Sequence, residues 1–298
     1  MQTTSLAALI DGWNVEECRI VCEGHGRLAN DLAVLNRLRG ALGHVLAQSA
    51  SDEALTGKPC PFDPPCAFDL FHNNQGHMTA GLEIPKPFVL LSDNLDGDLS
   101  VAIRLFGHSN AWAPEFMAGL ISAARRGIRM QGQQLSFRVT HAGRRKLAPP
   151  SVTAQNGPIV LRTLTPILRK SDARAQGSPR PIPQDEAEML AEFLVSTLTG
   201  VGNRISGLAQ WHQRVLDLDS TSLKAEARAL SRDAAIEGKL SRRSFGKKKG
   251  RQGFDGTVAL PWASADLRGL LGLSAFAHIG ADTAMGAGRV LVGTEDST

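Results

Sequence analysis

Eight histidines, thirty-three lysines and arginines and no tyrosine leave imidazole and cationic nitrogen as this sequence's tools for proton and phosphate chemistry. His25 stands between Gly24 and Gly26, and His44 lies five residues past Arg39. Imidazole is the side chain whose ordinary titration falls nearest neutral pH, so both are candidate general bases. The competing reading is an exposed turn histidine at 25 and a helix-surface imidazole at 44. Arg27, Arg37 and Arg39 cluster around the same segment. Two positions apart on a helix is about 200° of rotation, so Arg37 and Arg39 cannot share one face. Near the C-terminus, Gly280, Gly286 and Gly288 precede Arg289. Glycine tolerates positive φ and close backbone approach, so such a loop can press its N–H groups against phosphate. A tight turn between helix and strand explains the same glycines equally well. No Gly-Lys-Ser/Thr follows them, so the segment is not a P-loop.

Charge is distributed unevenly. Residues 1–100 hold thirteen acids against six bases, a net of −7, so the remainder carries +11 of the overall +4. From Arg125 to Arg180 there are twelve bases and one acid, Asp172, and from Lys239 to Arg251 there are seven bases and no acid. Runs this one-sided repel themselves unless a polyanion or solvent neutralises them, which makes nucleic acid the leading partner class. A solvated basic surface is the plain alternative. No run of roughly eighteen apolar residues is available to span a membrane. The N-terminal stretch lacks a basic n-region and is not expected to be a signal peptide. Four cysteines at 18, 22, 60 and 66 are too few for a disulfide framework, so a reduced, cytoplasmic setting is expected. Pooling them with His72 or His77 as a zinc site is disfavoured by their spacing, and no metal is expected.

The elements that must position these groups follow from periodicity. Residues 18–22 read as a strand ended by the Gly24–Gly26 turn. Asn30 or Asp31 then caps a helix in which Leu32, Leu35, Leu38, Leu42, Val45 and Leu46 recur at helical spacing. Residues 51–87, with Cys60 and Cys66 among four prolines, read as an irregular loop. Strands are expected at 86–92, 99–106 and 134–140, with a helix at about 112–126 ending at Gly127. The order strand–helix–strand–strand–helix–strand is that of a ferredoxin-like unit. Beyond a proline-rich stretch at 147–183, with a strand at 158–164, come a helix over 184–215 broken near Gly200–Gly202 and another over about 221–237. A strand at 257–260, a helix at about 264–278 and a final strand close the chain.

The C-terminal run His278-Ile279-Gly280 through Gly286-Ala287-Gly288-Arg289-Val290 resembles the signature loop of the CRISPR-associated RNA-processing endoribonucleases of the RAMP superfamily. Leu38-Arg39-Gly40-Ala41-Leu42-Gly43 is similar to the family's first helix. Cys60 and Cys66, followed by Phe68 and Leu70-Phe71, resemble its short cysteine-bearing loop. Lys86-Pro87-Phe88-Val89-Leu90 and Arg104-Leu105-Phe106-Gly107 look like its next two strands. Arg242-Arg243-Ser244-Phe245 through Gly256-Thr257-Val258 resembles its last basic stretch. Each motif is weak alone; five in family order are strong.

The resemblance implies an α+β chain of two ferredoxin-like (RRM-like, RAMP) domains, 1–146 and 147–298, the second with a helical insertion at about 184–238 and the glycine loop 280–289. A helical finger there would be similar to the type IV branch, where arginines stand in for histidine. The implied activity is metal-independent cleavage of CRISPR repeat RNA by attack of a 2′-hydroxyl on the adjacent phosphate, with no cofactor and with the product retained. The implied catalytic set is His25 or His44 as base, with Arg39 and Arg242 as transition-state cations. Arg27, Arg37, Arg243, Lys247, Lys248, Lys249, Arg251, Gly280, Gly286, Gly288 and Arg289 are the implied RNA contacts. Implied partners are the repeat stem-loop, mature crRNA and other CRISPR effector subunits, with no membrane. The alternatives are a RAMP subunit that binds guide RNA without cutting it and a generic RNA-binding factor.

Overall fold

In strand β1 (Val15–His25), Cys18, Ile20 and Cys22 point to one face, and Glu17 and Arg19 to the other, the period of two that a pleated strand imposes. The computed structural model describes residues 1–148, 157–169, 185–243 and 251–294. Helix α1 (Leu32–Leu46) follows, capped by Asp31, whose carboxylate accepts from the Ala33 and Val34 N–H groups at 2.7 and 3.3 Å. Strands β2 (Phe88–Leu95) and β3 (Asp98–Phe106) form a hairpin whose Asp96-Gly97 turn puts both residues at positive φ. Helix α2 (Ala113–Arg126) and strand β4 (Val139–Leu147) complete the first half. The four strands are antiparallel in the order β2-β3-β1-β4. Leu35, Leu38 and Leu42 of α1 and Phe116 and Leu120 of α2 cover the face bearing Cys18, Ile20, Leu90 and Ile103.

The second half repeats the scheme. Strand β5 (Ile159–Thr163) continues after a short break as β6 (Ile167–Leu168). Helices α3 (Glu186–Trp211) and α4 (Ser220–Asp233) follow, then strands β7 (Ala235–Arg243) and β8 (Arg251–Leu260), helix α5 (Ala265–Ala277) and strand β9 (Val290–Gly293). The antiparallel order is β9-β5-β8-β7, with β6 extending β5 along β8. Helices α3 and α4 therefore occupy the crossover between the first and second strands of this sheet.

Several expectations need correction. The helices of 184–238 do not stand out as a finger. Phe193, Leu194, Leu198, Val201, Ile205 and Leu208 of α3 and Leu223, Ala227 and Leu230 of α4 are buried in the core, so apolar burial holds both helices down. Nor is α3 broken at Gly200–Gly202: a Cβ at Gly202 would meet Leu223 Cδ2 at 2.5 Å, so this glycine admits the close approach of α4. Residues 51–87 contain two short helices, Asp52–Leu55 and Ala67–His72, the second anchored by buried Phe68, Leu70 and Phe71. The strand expected at 134–140 runs instead over β4, after a small hairpin of Ile128–Met130 and Gln133–Leu135. Residues of the N-terminus that sequence order groups with the first half pack on the second. Gln2–Thr4 pairs in parallel with Arg214–Leu216, and Leu6, Leu9 and Trp13 lie in the core that contains α3 and α5.

Candidate nucleic-acid site

Two groups of cations lie where the halves meet. The first surrounds Glu17, whose side chain is wholly buried on the sheet face turned away from α1. Its carboxylate receives Arg19 Nε at 2.9 Å, Arg104 Nε at 2.9 Å and Arg145 Nη2 at 2.8 Å. Burial pushes the carboxyl upward, but the Arg19 and Arg104 guanidiniums outweigh it and hold the pKa at about 2. Asp93 joins the group, accepting from Arg19 at 3.1 Å and from Arg289 at 2.7 Å. Arg289 also donates to the Ser92 carbonyl at 2.7 Å, and Arg104 to the Ala275 carbonyl at 3.2 Å, so the network ties β2 and β3 to the C-terminal half.

In the second group no carboxylate forms an ion pair with either central cation among the described residues. Arg39 points inward from α1, with its guanidinium carbon 4.9 Å from the Phe71 ring centroid, and its buried Nε has no hydrogen-bond partner among the described residues. Burial pulls its pKa down, and Asp282 draws it back up. Lys86, between Pro85 and Pro87 at the start of β2, donates its Nζ to the Asn73 carbonyl. Burial and the neighbouring Arg39 charge lower the ammonium to about 8 against the opposing pull of Asp69 and Glu83. Asp69 is itself occupied, accepting from Asn73 Nδ2 at 2.8 Å and Gln75 Nε2 at 3.1 Å. Asp282, at φ +57 in the turn after α5, pairs with Arg251 Nε at 3.0 Å. A fixed guanidinium beside an amine that titrates near neutral pH is equipment for stabilising an anionic phosphorane and moving one proton.

The glycine-bearing turn is packed rather than open. A Cβ at Gly288, at φ +71, would stand 1.7 Å from the Ile279 carbonyl oxygen, and one at Gly286, at φ +90, would stand 2.4 Å from Leu35 Cδ1. The Gly286 N–H donates to the Thr283 carbonyl at 3.0 Å and the Gly288 N–H to the Pro166 carbonyl at 2.8 Å. Both amides are spent within the protein and both residues are buried, so neither cradles a phosphate; the tight-turn reading holds for them. Gly280 is exposed, at φ +85, with a would-be Cβ 2.5 Å from the Leu168 carbonyl oxygen. Arg289 is likewise removed from the set of RNA contacts, because Asp93, Ser92 and Asn30 already engage its guanidinium.

The remaining sequence candidates scatter. His25, at φ +65, packs edge-on to Phe137 with centroids 5.4 Å apart, in a turn tied to the β2–β3 hairpin by Gly26 N–H to Gly97 O. His44 is exposed in the last turn of α1. His44 lies twelve rises of helix, about 18 Å, beyond Leu32, and no hydrogen bond or ring contact joins it to His25 among the described residues. Arg27 is exposed, and Arg37, also exposed, donates to the Arg129 carbonyl. Arg242 is exposed on β7 opposite Gln252, and Arg243 is aligned with Arg251. Lys247, Lys248 and Lys249 lie outside the described residues.

Sequence reasoning missed Lys86 and the Glu17 network. Lys86 was readable only as a strand start, although a lysine framed by two prolines before a run of buried residues is the signal that was there. Nothing local marks Glu17; its partners come from 2, 87 and 128 residues away.

A family model, AF_1859_N, described as an N-terminal domain, matches residues 18–158. No curated protein matches the sequence. Among solved structures, the Cas6 (TTHB231) product complex aligns with a TM-score of 0.53 at 17% identity, over 94% of this chain and 99% of that one. The Cas6 (TTHA0078) product complex aligns with a TM-score of 0.52 at 17% identity, over 94% of this chain and 100% of that one. The chain has the fold of these Cas6 structures along nearly its whole length.

Proposed function

We propose that this protein is a CRISPR repeat RNA endoribonuclease of the Cas6 kind, built from two ferredoxin-like domains and cutting its substrate without a metal ion. The observation that carries the reading is the Arg39–Lys86 pair: a half-buried guanidinium with an unused Nε, near an amine that burial and the Arg39 charge bring to about 8, on a fold shared with Cas6 product complexes. The Leu38-Arg39-Gly40 motif and the basic second half support the same reading.

In the proposed reaction the free amine of Lys86 takes the proton from a 2′-hydroxyl. The 2′-oxygen attacks the adjacent phosphorus, the bond to the 5′-oxygen breaks, and the departing 5′-oxygen takes a proton from water, leaving a 2′,3′-cyclic phosphate and a 5′-hydroxyl. Arg39 supplies N–H groups and positive charge to the phosphorane. Its partial burial against Phe71 lowers the local dielectric, which strengthens that interaction. Arg27, Arg37, Arg242, Arg243 and Lys247–Lys249 are proposed to hold the RNA backbone, and the product is proposed to stay bound for delivery to other effector subunits.

The test is single-turnover cleavage of repeat RNA by the full chain in EDTA. Cleavage is expected with the natural repeat and none with a 2′-deoxy substitution at the scissile nucleotide. Cleavage of the deoxy substrate rejects the mechanism. Tight binding of repeat RNA without cleavage assigns the chain instead to the guide-binding RAMP subunits.

A further inference from the structure

The loop that leads into helix Ala67–His72 holds two thiols that the proposed cleavage does not use. Cys60 Sγ accepts a hydrogen bond from the Cys66 backbone N–H at 3.3 Å and another from Ser51 Oγ at 3.5 Å. The two thiols move each other's pKa in opposite directions, Cys60 downward and Cys66 upward. Donors gathered at one sulfur stabilise its thiolate, the form that reacts as a nucleophile. Cys18 and Cys22 are the contrast within the same chain. Both are buried in the core under α1 and α2, and burial raises them to about 12 and about 11. No third sulfur, imidazole or carboxylate joins Cys60 and Cys66 in metal-binding geometry among the described residues.

We propose that Cys60 and Cys66 form a peroxide-reactive dithiol, with Cys60 the attacking thiolate and Cys66 the resolving thiol, that closes to an intramolecular disulfide. The Cys60 sulfur attacks one peroxide oxygen; an S–O bond forms, the O–O bond breaks, and the departing hydroxide takes a proton to become water. The Cys66 thiolate then attacks the sulfenic sulfur; an S–S bond forms, the S–O bond breaks, and a second water leaves. Two thiols are oxidised by two electrons and one hydroperoxide is reduced. The bridge closes the segment at the entrance to the helix that carries Phe71, the ring beneath Arg39.

Cys60 lies below its ordinary thiol range and Cys22 at about 11, so at neutral pH their thiolate fractions differ by at least about 100-fold. Iodoacetamide is therefore expected to label Cys60 in the folded full-length chain at least ~100-fold faster than Cys22. Hydrogen peroxide followed by denaturation, alkylation and trypsin digestion should yield one peptide holding both Cys60 and Cys66 that has lost two hydrogens, with Cys18 and Cys22 alkylated. Dithiothreitol should restore both labels. In Cys66→Ser the reaction is expected to stop at a dimedone-reactive sulfenic acid on Cys60, with circular dichroism confirming the fold. Labelling of Cys60 no faster than Cys22, or peroxide products without the 60–66 bridge, overturns the proposal. Neither readout involves RNA, so the outcome is independent of the cleavage reading.

Discussion

Around Glu17, three guanidiniums converge on one buried carboxylate, and Asp93 bonds both Arg19 and Arg289 beside them. Around Arg39 and Lys86 the nearby acids bond elsewhere or act only at a distance: Asp69 bonds Asn73 and Gln75, Asp282 bonds Arg251, and Glu83 reaches Lys86 through its charge alone. Both groups are arginine- or lysine-rich, and both sit between the halves of the chain. They differ in whether a carboxylate bonds the cations directly. Cations held in direct ion pairs tie the two halves together and have fewer N–H groups left for phosphate. Cations without a direct ionic partner pay a desolvation penalty in the free protein that an incoming polyanion relieves.

The largest expected effect breaks the ion-paired side. Glu17→Ala takes the shared anion from Arg104 and Arg145 and leaves Arg19 with Asp93 alone, and removing one partner of a buried pair costs about 3–5 kcal/mol. Urea denaturation followed by tryptophan fluorescence measures it; a loss near zero would mean that water screens the network. The same group sets an acid limb. Its pKa is about 2 in the fold against 4.5 as the ordinary value, so its stabilisation is complete above about pH 4.5 and is lost as pH falls toward 2. Glu17→Gln should flatten stability against pH across that window.

Next comes the exchange of charge for an isosteric apolar chain on each side. Arg39→Met should lower single-turnover cleavage by about 10²–10³-fold with stability unchanged or raised, because a half-buried charge with no direct ion pair among the described residues is removed. Arg289→Met should do the reverse, losing stability because Asp93 is deprived of its 2.7 Å partner, with the cleavage step nearly intact once folded. If the two variants behave alike, the distinction between the groups fails.

Lys86→Ala is expected to slow cleavage by roughly 10²-fold. In the unmodified protein the rate should climb with pH and level off near 8, and Lys86→Arg should abolish that inflection. A rate that falls above pH 8 would make Lys86 a proton donor instead. Stability gives an independent check. The folded chain releases this proton near 8 and the unfolded chain near 10.5, so stability should rise across that interval in the parent and not in Lys86→Ala.

The smallest effects are expected at His25→Ala and His44→Ala. Neither approaches the Arg39–Lys86 pair through any hydrogen bond or ring contact among the described residues, and His44 is exposed. A cleavage loss at either histidine exceeding that of Lys86→Ala would transfer the base role to it.

Periodicity alone was enough for β1 and α1. The leucines of α1 and the alternation of β1 each follow from a local repeat, and the strand–helix order limits the sheet to few arrangements. Arg39 was also legible, since its offset of two from Arg37 puts the two on different faces, and the structure has one outside and one inside. What burial does to a charge was not legible. Lys86 and Arg39 are 47 positions apart, and only folding brings their charges close enough to move a pKa. The glycines of the C-terminal turn mark positive φ in any reading. Whether their amides face a phosphate or Pro166 and Thr283 depends on where β5 and α1 come to rest. The charge run that suggested nucleic acid is a sum over sequence, whereas affinity for phosphate depends on the charge left over after folding. That remainder is fixed by which carboxylates the tertiary structure delivers to each guanidinium, because Coulomb attraction and desolvation act over a few ångströms of space and not over distance along the chain.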